Sequence, residues 1–241
     1  MCTVTFLPLG NESFIFTSNR DESKIRPTQI PAIDERENCK LLYPKDILAG
    51  GTWICISDKN RVACLMNGAF ERHERQLPYR ISRGIVLLDL FNYASVSEYV
   101  ENYPLTDVEP FTLMIIENMQ ITELRWDSMN KHIRLLSATQ PRIWSSASLY
   151  PKEIRDKREQ WFAKWLTGRT TFEQKDILRF HHQGGEGDPE NDVVMNRYDI
   201  VQTVSVTSIV KNEKGARMYY HDLIAGHTTE TGIEFNREQA F

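Results

Sequence analysis

Strands and helices come in blocks along this sequence, and that order limits the fold more than any single motif does. Residues 4–9 and 13–17 read as two strands around Gly10-Asn11, a hairpin signal. Gly50-Gly51-Thr52 opens a strand over 53–57, and 61–66 returns as another. Residues 81–94 predict a helix, with Ile85, Leu88 and Phe91 at helical spacing and Ser82 able to cap it. Ser95 or Ser97 caps a second short helix before Pro104. Residues 111–117, 120–126 and 132–137 read as a meander, with a short fourth strand at 143–146. Pro151 opens a helix running to about 166, with Gly168 past its end, and Thr171 caps another over 172–182. A β-branched run at 200–211 turns at 212–215 into 216–224, and 233–235 adds a last strand. Two stretches are read as irregular. Residues 23–46 carry Pro27, Pro31 and Pro44 without a steady period and read as a long ordered loop. Residues 183–191, rich in Gly and acids, read as a mobile linker too short to separate domains. Blocks of this kind predict an α+β fold of largely antiparallel sheets, with two helix pairs covering two stacked sheets. The expectation is a four-layer α-β-β-α sandwich formed as one domain over residues 1–241.

Composition then removes several functional classes. The net charge of −4 argues against nucleic-acid binding. Basic residues cluster at 71–75 and 152–158, but acids interleave both runs, which reads as solvated helix faces. The four cysteines, Cys2, Cys39, Cys55 and Cys64, form no CxxC pair and no zinc spacing, so neither metal nor cofactor is expected. His181 and His182 read as surface residues at a helix end. No basic region precedes a long apolar run at the start, and no window approaches about 18 apolar residues. A cytoplasmic protein with reduced thiols and no membrane span is expected; the oligomeric state is not legible.

The chemistry concentrates near the start. Cys2 precedes a strand, and removal of Met1 would leave a thiol and a free amine on one residue, a complete nucleophilic device. With the hairpin turn near Gly10-Asn11, position 2 pairs roughly with position 19. That brings Asn19, Arg20 and Asp21 to the thiol. Plainer readings stand beside this one. Cys2 could simply begin a buried strand, and Asp21 could cap a turn. Arg20 and Glu22 could form a surface ion pair, Asn67-Gly68 a tight turn, and Trp53 core packing.

Met1-Cys2 before a strand, Asn19-Arg20-Asp21-Glu22, Gly50-Gly51-Thr52-Trp53 and Leu65-Met66-Asn67 together resemble the NRDE family, the transport and Golgi organisation 2 homologues. Ser82-Arg83-Gly84 and Gln202-Thr203-Val204-Ser205 also fit. That family is in turn similar to N-terminal nucleophile hydrolases of the choloylglycine and penicillin acylase type, whose fold is α-β-β-α. The resemblance implies Cys2 as nucleophile and its α-amine as general base, with reference pKa values of about 8.5 and 7.7–8.0. It implies Asp21 as the group that holds the amine or thiol, with Arg20 beside it. Asn67 would be an oxyanion donor worth roughly 3 kcal/mol. Asn19, Trp53 and Ser146 are assigned to the substrate. Two departures stand out. Ser146 occupies the place of a second Asn, and Ser18 stands where those hydrolases carry Arg, the guanidinium being at Arg20. Adjacent strand residues face opposite ways, so Arg20 and Asp21 should too. The implied activity is hydrolysis of a non-peptide C–N amide through a Cys2 thioester, on a small-molecule amide or amphipathic acid held by Trp53, Phe70 and Arg20. The alternative is a non-catalytic carrier on the same fold, handling a lipid-like or haem-like ligand.

Overall fold

The computed structural model describes residues 3–236. Strands β1 (Thr3–Gly10) and β2 (Ser13–Glu22) form the expected hairpin. Gly10, Asn11 and Glu12 turn it with positive φ, a conformation to which Gly and Asn are well suited. The next seven strands form a sheet in chain order: β3 (Thr28–Glu35), β4 (Lys40–Asp46), β5 (Ile54–Ser57), β6 (Val62–Asn67), β7 (Phe111–Glu117), β8 (Gln120–Trp126) and β9 (Lys131–Ser137). β10 (Arg142–Ser145) returns to the free side of β1. β11 (Asn196–Arg197), β12 (Val201–Lys211), β13 (Gly215–Asp222) and β14 (His227–Glu234) complete the first sheet, in the order β10-β1-β2-β12-β13-β14 with β11 on β12. All the strand pairings within the two sheets are antiparallel.

Helices enter between these blocks. α1 (Arg83–Asp89), extended by a 3₁₀ turn, and α2 (Val96–Asn102) lie between β6 and β7. α3 (Lys152–Leu166) and α4 (Gln174–Gln183) lie between β10 and β11. The Ser95 hydroxyl caps α2 by accepting from Glu98 N.

Three apolar layers show how the pieces stack. Val4, Phe6 and Phe16 of the first sheet meet Ile54, Ile56, Cys64 and Met114 of the second. The alternate side chains of the second sheet, Leu41, Cys55, Leu65 and Leu113, pack on Val86, Leu87, Tyr99 and Tyr103 of α1 and α2. Those of the first sheet, Leu7 and Ile15, pack on Phe162, Ile177 and Phe180 of α3 and α4. The result is the four-layer α-β-β-α sandwich of an α+β fold. No helix among the described residues is long and apolar enough to cross a membrane.

Several expectations need correction. The segment read as a loop over 23–46 contains β3 and β4. Pro27 precedes β3; Pro31 lies on that edge strand and Pro44 on β4, both where the β3–β4 register shifts between Gln29↔Lys45 and Ala32↔Tyr43. The segment after Gln183 is held in place: Asp192 accepts hydrogen bonds from the amides of Glu186 and Gly187, and Val193 N donates to Gly184 O. The basic run at 71–75 is not helical, and Arg158 at the end of the second run is fully buried. His181 is fully buried as well.

Candidate active site

The pairing that matters most is at the start of β1. Thr3 lies opposite Asn19 on β2 and opposite Ser145 on β10. Cys2 lies outside the described residues; one peptide bond joins it to Thr3. The hairpin arithmetic, which pairs position 2 with 19, is thus one residue off, since Asn19 pairs with Thr3.

Arg20 and Asp21 take opposite faces of β2. Asp21 is buried, and its carboxylate accepts from the Tyr150 hydroxyl at 2.7 Å and the Thr203 hydroxyl at 2.6 Å. Thr203 pairs with Asp21 at a β-bulge, where the β2–β12 register shifts between Thr203 and Ser205. A bulge of this kind re-aims side chains at a site. Tyr150 is itself flanked by cations, with Arg158 3.7 Å and Arg197 5.1 Å from its ring centroid. The Asp21 carboxylate is therefore fixed in place rather than capping a turn.

Arg20 points into a cleft of about 560 Å³. Its guanidinium lies 4.6 Å from the Trp53 ring centroid and pairs with Asp46 at 2.7 Å. Burial lowers the pKa of Arg20, and the Asp46 carboxylate works against that shift. Arg26 also reaches Asp46, at 2.8 Å, and Glu22 at 2.9 Å. On the opposite wall Glu109 holds Arg83 at 3.1 Å, Arg75 at 3.3 Å and His73 at 3.3 Å. Burial lowers the Arg83 pKa too, opposed by Glu109.

Asn67 and Trp53 line the same cleft. The buried Trp53 indole N–H has no hydrogen-bond partner among the described residues. Asn67 ends β6, and Gly68 follows with φ +81°. A Cβ on Gly68 would stand 2.4 Å from Ser148 Oγ, so only glycine lets this turn close on the segment after β10. That contact brings Ser146 to Asn67: the buried Ser146 hydroxyl donates to the Asn67 carbonyl at 2.8 Å. Asn19 goes elsewhere. It is fully buried toward α4, donating to the His181 and Val193 carbonyls, and does not line the cleft. Phe70 also stands outside the cleft, packed edge-on against His132 with Arg125 over its ring.

The sequence reading missed Tyr150, Arg158 and the Glu109 cluster. Thr203 and Arg83 sat inside motifs already singled out, Gln202-Thr203-Val204-Ser205 and Ser82-Arg83-Gly84. Arg158 lies one helical turn before the buried Phe162, a spacing that marks an inward face.

Comparison with known proteins agrees with this fold. The family model described as Transport and Golgi organisation 2 matches residues 1–212. No curated protein matches the sequence. Among solved structures, the C2A mutant of conjugated bile acid hydrolase from Clostridium perfringens is similar at a TM-score of 0.59 and 10% identity, covering 99% of this chain and 94% of that one. The Caenorhabditis elegans N-acylethanolamine-hydrolyzing acid amidase ortholog is similar at 0.60 and 14% identity, covering 87% and 92%. At such identities the likeness is one of fold.

Proposed function

We propose, from the premise that the chain belongs to the Transport and Golgi organisation 2 family, that it is an N-terminal cysteine hydrolase of a non-peptide C–N amide. In this reading Met1 is removed and the Cys2 α-amine takes the thiol proton. The thiolate attacks the amide carbonyl, the C–N bond breaks, and the amine leaves with a proton from the α-ammonium. Water then hydrolyses the thioester, releasing a carboxylic acid and the thiol. Asp21 orients the amine, and the Asn67 carboxamide donates to the oxyanion. One observation carries the reading. Buried Asp21, held by the Tyr150 and Thr203 hydroxyls, the cleft-lining Asn67, and Ser146 bonded to the Asn67 carbonyl gather at the end of β1 that Cys2 precedes. The two hydrolases of similar fold act, by their names, on a conjugated bile acid and on N-acylethanolamines, both amides.

A second reading rests on Ser146. Its hydroxyl is engaged by the Asn67 carbonyl, so it is not free to serve as a second oxyanion donor, and a carrier that binds without turnover needs none. Intact mass before and after brief alkylation at neutral pH separates the two. Hydrolysis requires loss of Met1, one fast adduct at Cys2, and amide turnover that Cys2→Ala abolishes with an unchanged circular dichroism spectrum. Retained Met1, or a Cys2 no faster than the other thiols, overturns it in favour of the carrier.

A further inference from the structure

The cleft holds more positive charge than its own carboxylates neutralise. Arg20, Arg26, Arg75, Arg80 and Arg83 line it, against Glu22, Asp46 and Glu109. Each carboxylate is already engaged. Asp46 is held by Arg20 and Arg26 and by the amides of Leu48 and Ala49. Glu22 is held by Arg26 and its neighbour Ser23 N. Glu109 faces two guanidiniums, Arg75 and Arg83, besides His73. Arg80 forms no ion pair among the described residues; it donates to the Pro104 carbonyl at 2.7 Å and the Thr106 carbonyl at 3.2 Å, and reaches the Tyr103 hydroxyl. Those contacts fix the guanidinium without cancelling its charge. Trp53, Leu65, Leu77, Pro78 and Ile81 add apolar surface, with the uncharged Thr52, Asn67, Tyr79 and Ser82 among them.

We infer that this cleft binds an amphipathic acyl compound by its anionic head, an oxyacid group such as a carboxylate or phosphate, on Arg75 and Arg80, with Arg83 behind them. The inference rests on reading the cleft as the substrate site. A guanidinium presents paired N–H donors that match the oxygens of such a group, and its weak hydration lowers the cost of the exchange. The acyl chain lies along Leu77, Pro78, Ile81 and Trp53. A volume of about 560 Å³ is within the range of small-molecule sites. The attraction is local, because the chain as a whole carries −4.

The test uses the full-length Cys2→Ala protein, so that binding is read without turnover. Titration calorimetry compares N-dodecanoylglycine, dodecyl phosphate and the neutral N-dodecanoylethanolamine. At least one anion should bind about tenfold more tightly than the neutral amide, and raised salt should erase the difference. Preference for the glycine or for the phosphate identifies the head group. In an added Arg75→Gln/Arg80→Gln pair, both at exposed side chains, the anion should lose about tenfold and the neutral amide nothing. Neutral binding as tight as the better-bound anion, no anion binding, or anion affinity indifferent to that pair overturns the inference. Because Cys2 is absent, a wild-type protein that fails to hydrolyse amides leaves the anion preference standing. Loss of that preference equally leaves the thiol chemistry standing.

Discussion

Gly51 and Gly84 meet backbone to backbone. A Cβ on Gly51 would stand 2.4 Å from the Gly84 carbonyl carbon, and one on Gly84 would stand 2.9 Å from the Thr52 nitrogen. Thr52 N donates to Gly84 O across the contact. Two motifs thirty residues apart in the chain, each ending or beginning with glycine, are thus one joint: it seats the start of α1 against the second sheet and forms the cleft wall beside Trp53.

Gly51→Ala should therefore destabilise the fold by about 1–3 kcal/mol, because backbone cannot move aside as a side chain can. Gly50→Ala meets only Ile85 Cδ1 at 3.9 Å and suffers mainly from its φ of +71°, a cost of about 1 kcal/mol. Urea unfolding of both variants checks the ranking. Equal midpoints would remove the close approach as the reason for glycine at position 51.

Arg158 carries a second prediction. Its guanidinium is fully buried, donates to Thr3 Oγ1, Asn191 O and Asp192 O, and stacks on Tyr150, which holds Asp21. Arg158→Met leaves those acceptors without a donor and should cost about 2–4 kcal/mol. Tyr150→Phe, which removes one hydroxyl from Asp21, should cost about 1–2 kcal/mol. If hydrolysis is confirmed, it should also change the pH profile of kcat/KM. A Tyr150→Phe enzyme with wild-type profile and stability would make the Tyr150–Asp21 bond incidental.

How much of this was legible follows from which signals are local. The β1–β2 hairpin and the 111–137 meander announce themselves through apolar runs and short turns; the structure has β1 and the meander within a residue, while β2 runs five residues past the expected end, to Glu22. The strands β3 and β4 do not announce themselves, because their prolines mask a pattern that an edge position and a register shift tolerate. His181, expected at the surface of a helix end, is fully buried. The spacing of Ile177, Phe180 and His181 gives it away as the inner face of α4. Arg20, Trp53 and Asn67 were legible as site residues, but the clustering of the arginines was not: they come from β2, the loops after β2 and β6, and α1, and only the tertiary fold brings them together.

His181 makes the fold acid-sensitive. Burial, with lesser contributions from His182 and Arg158, lowers its pKa from 6.5 to about 3. Asn19 Oδ1 can only accept, so Nδ1 carries the proton at 2.5 Å, and Nε2 accepts from the Thr5 hydroxyl at 2.7 Å. The folded state therefore binds this proton less readily than the unfolded chain. The stability involved is complete above pH 6.5 and is lost progressively as pH falls toward 3, by roughly 4–5 kcal/mol over the whole window. His181→Gln should lower stability at pH 7 yet flatten its fall between pH 6.5 and 4. Chemical denaturation at stepped pH checks this; parallel curves for the two proteins would mean other groups set the acid limit.

The remaining thiols bear on how Cys2 can be tested. Burial raises all three: Cys64 to about 12, Cys55 well above its ordinary value, and Cys39 to a lesser degree, with Asp58 adding to it. Only the thiolate reacts, so a thiol at about 12 offers roughly three-thousandfold less of it at pH 7 than an ordinary one near 8.5. Cys55 and Cys64 are also closed to reagent, being fully buried against α1, α2 and between the sheets. A folded Cys2→Ser protein should therefore take up almost no iodoacetamide in minutes at pH 7, Cys39 being the first to react. In urea the same protein should take up three adducts. Rapid labelling of native Cys2→Ser would place an accessible thiol within the described fold, and fast alkylation of the wild-type protein would no longer report on Cys2.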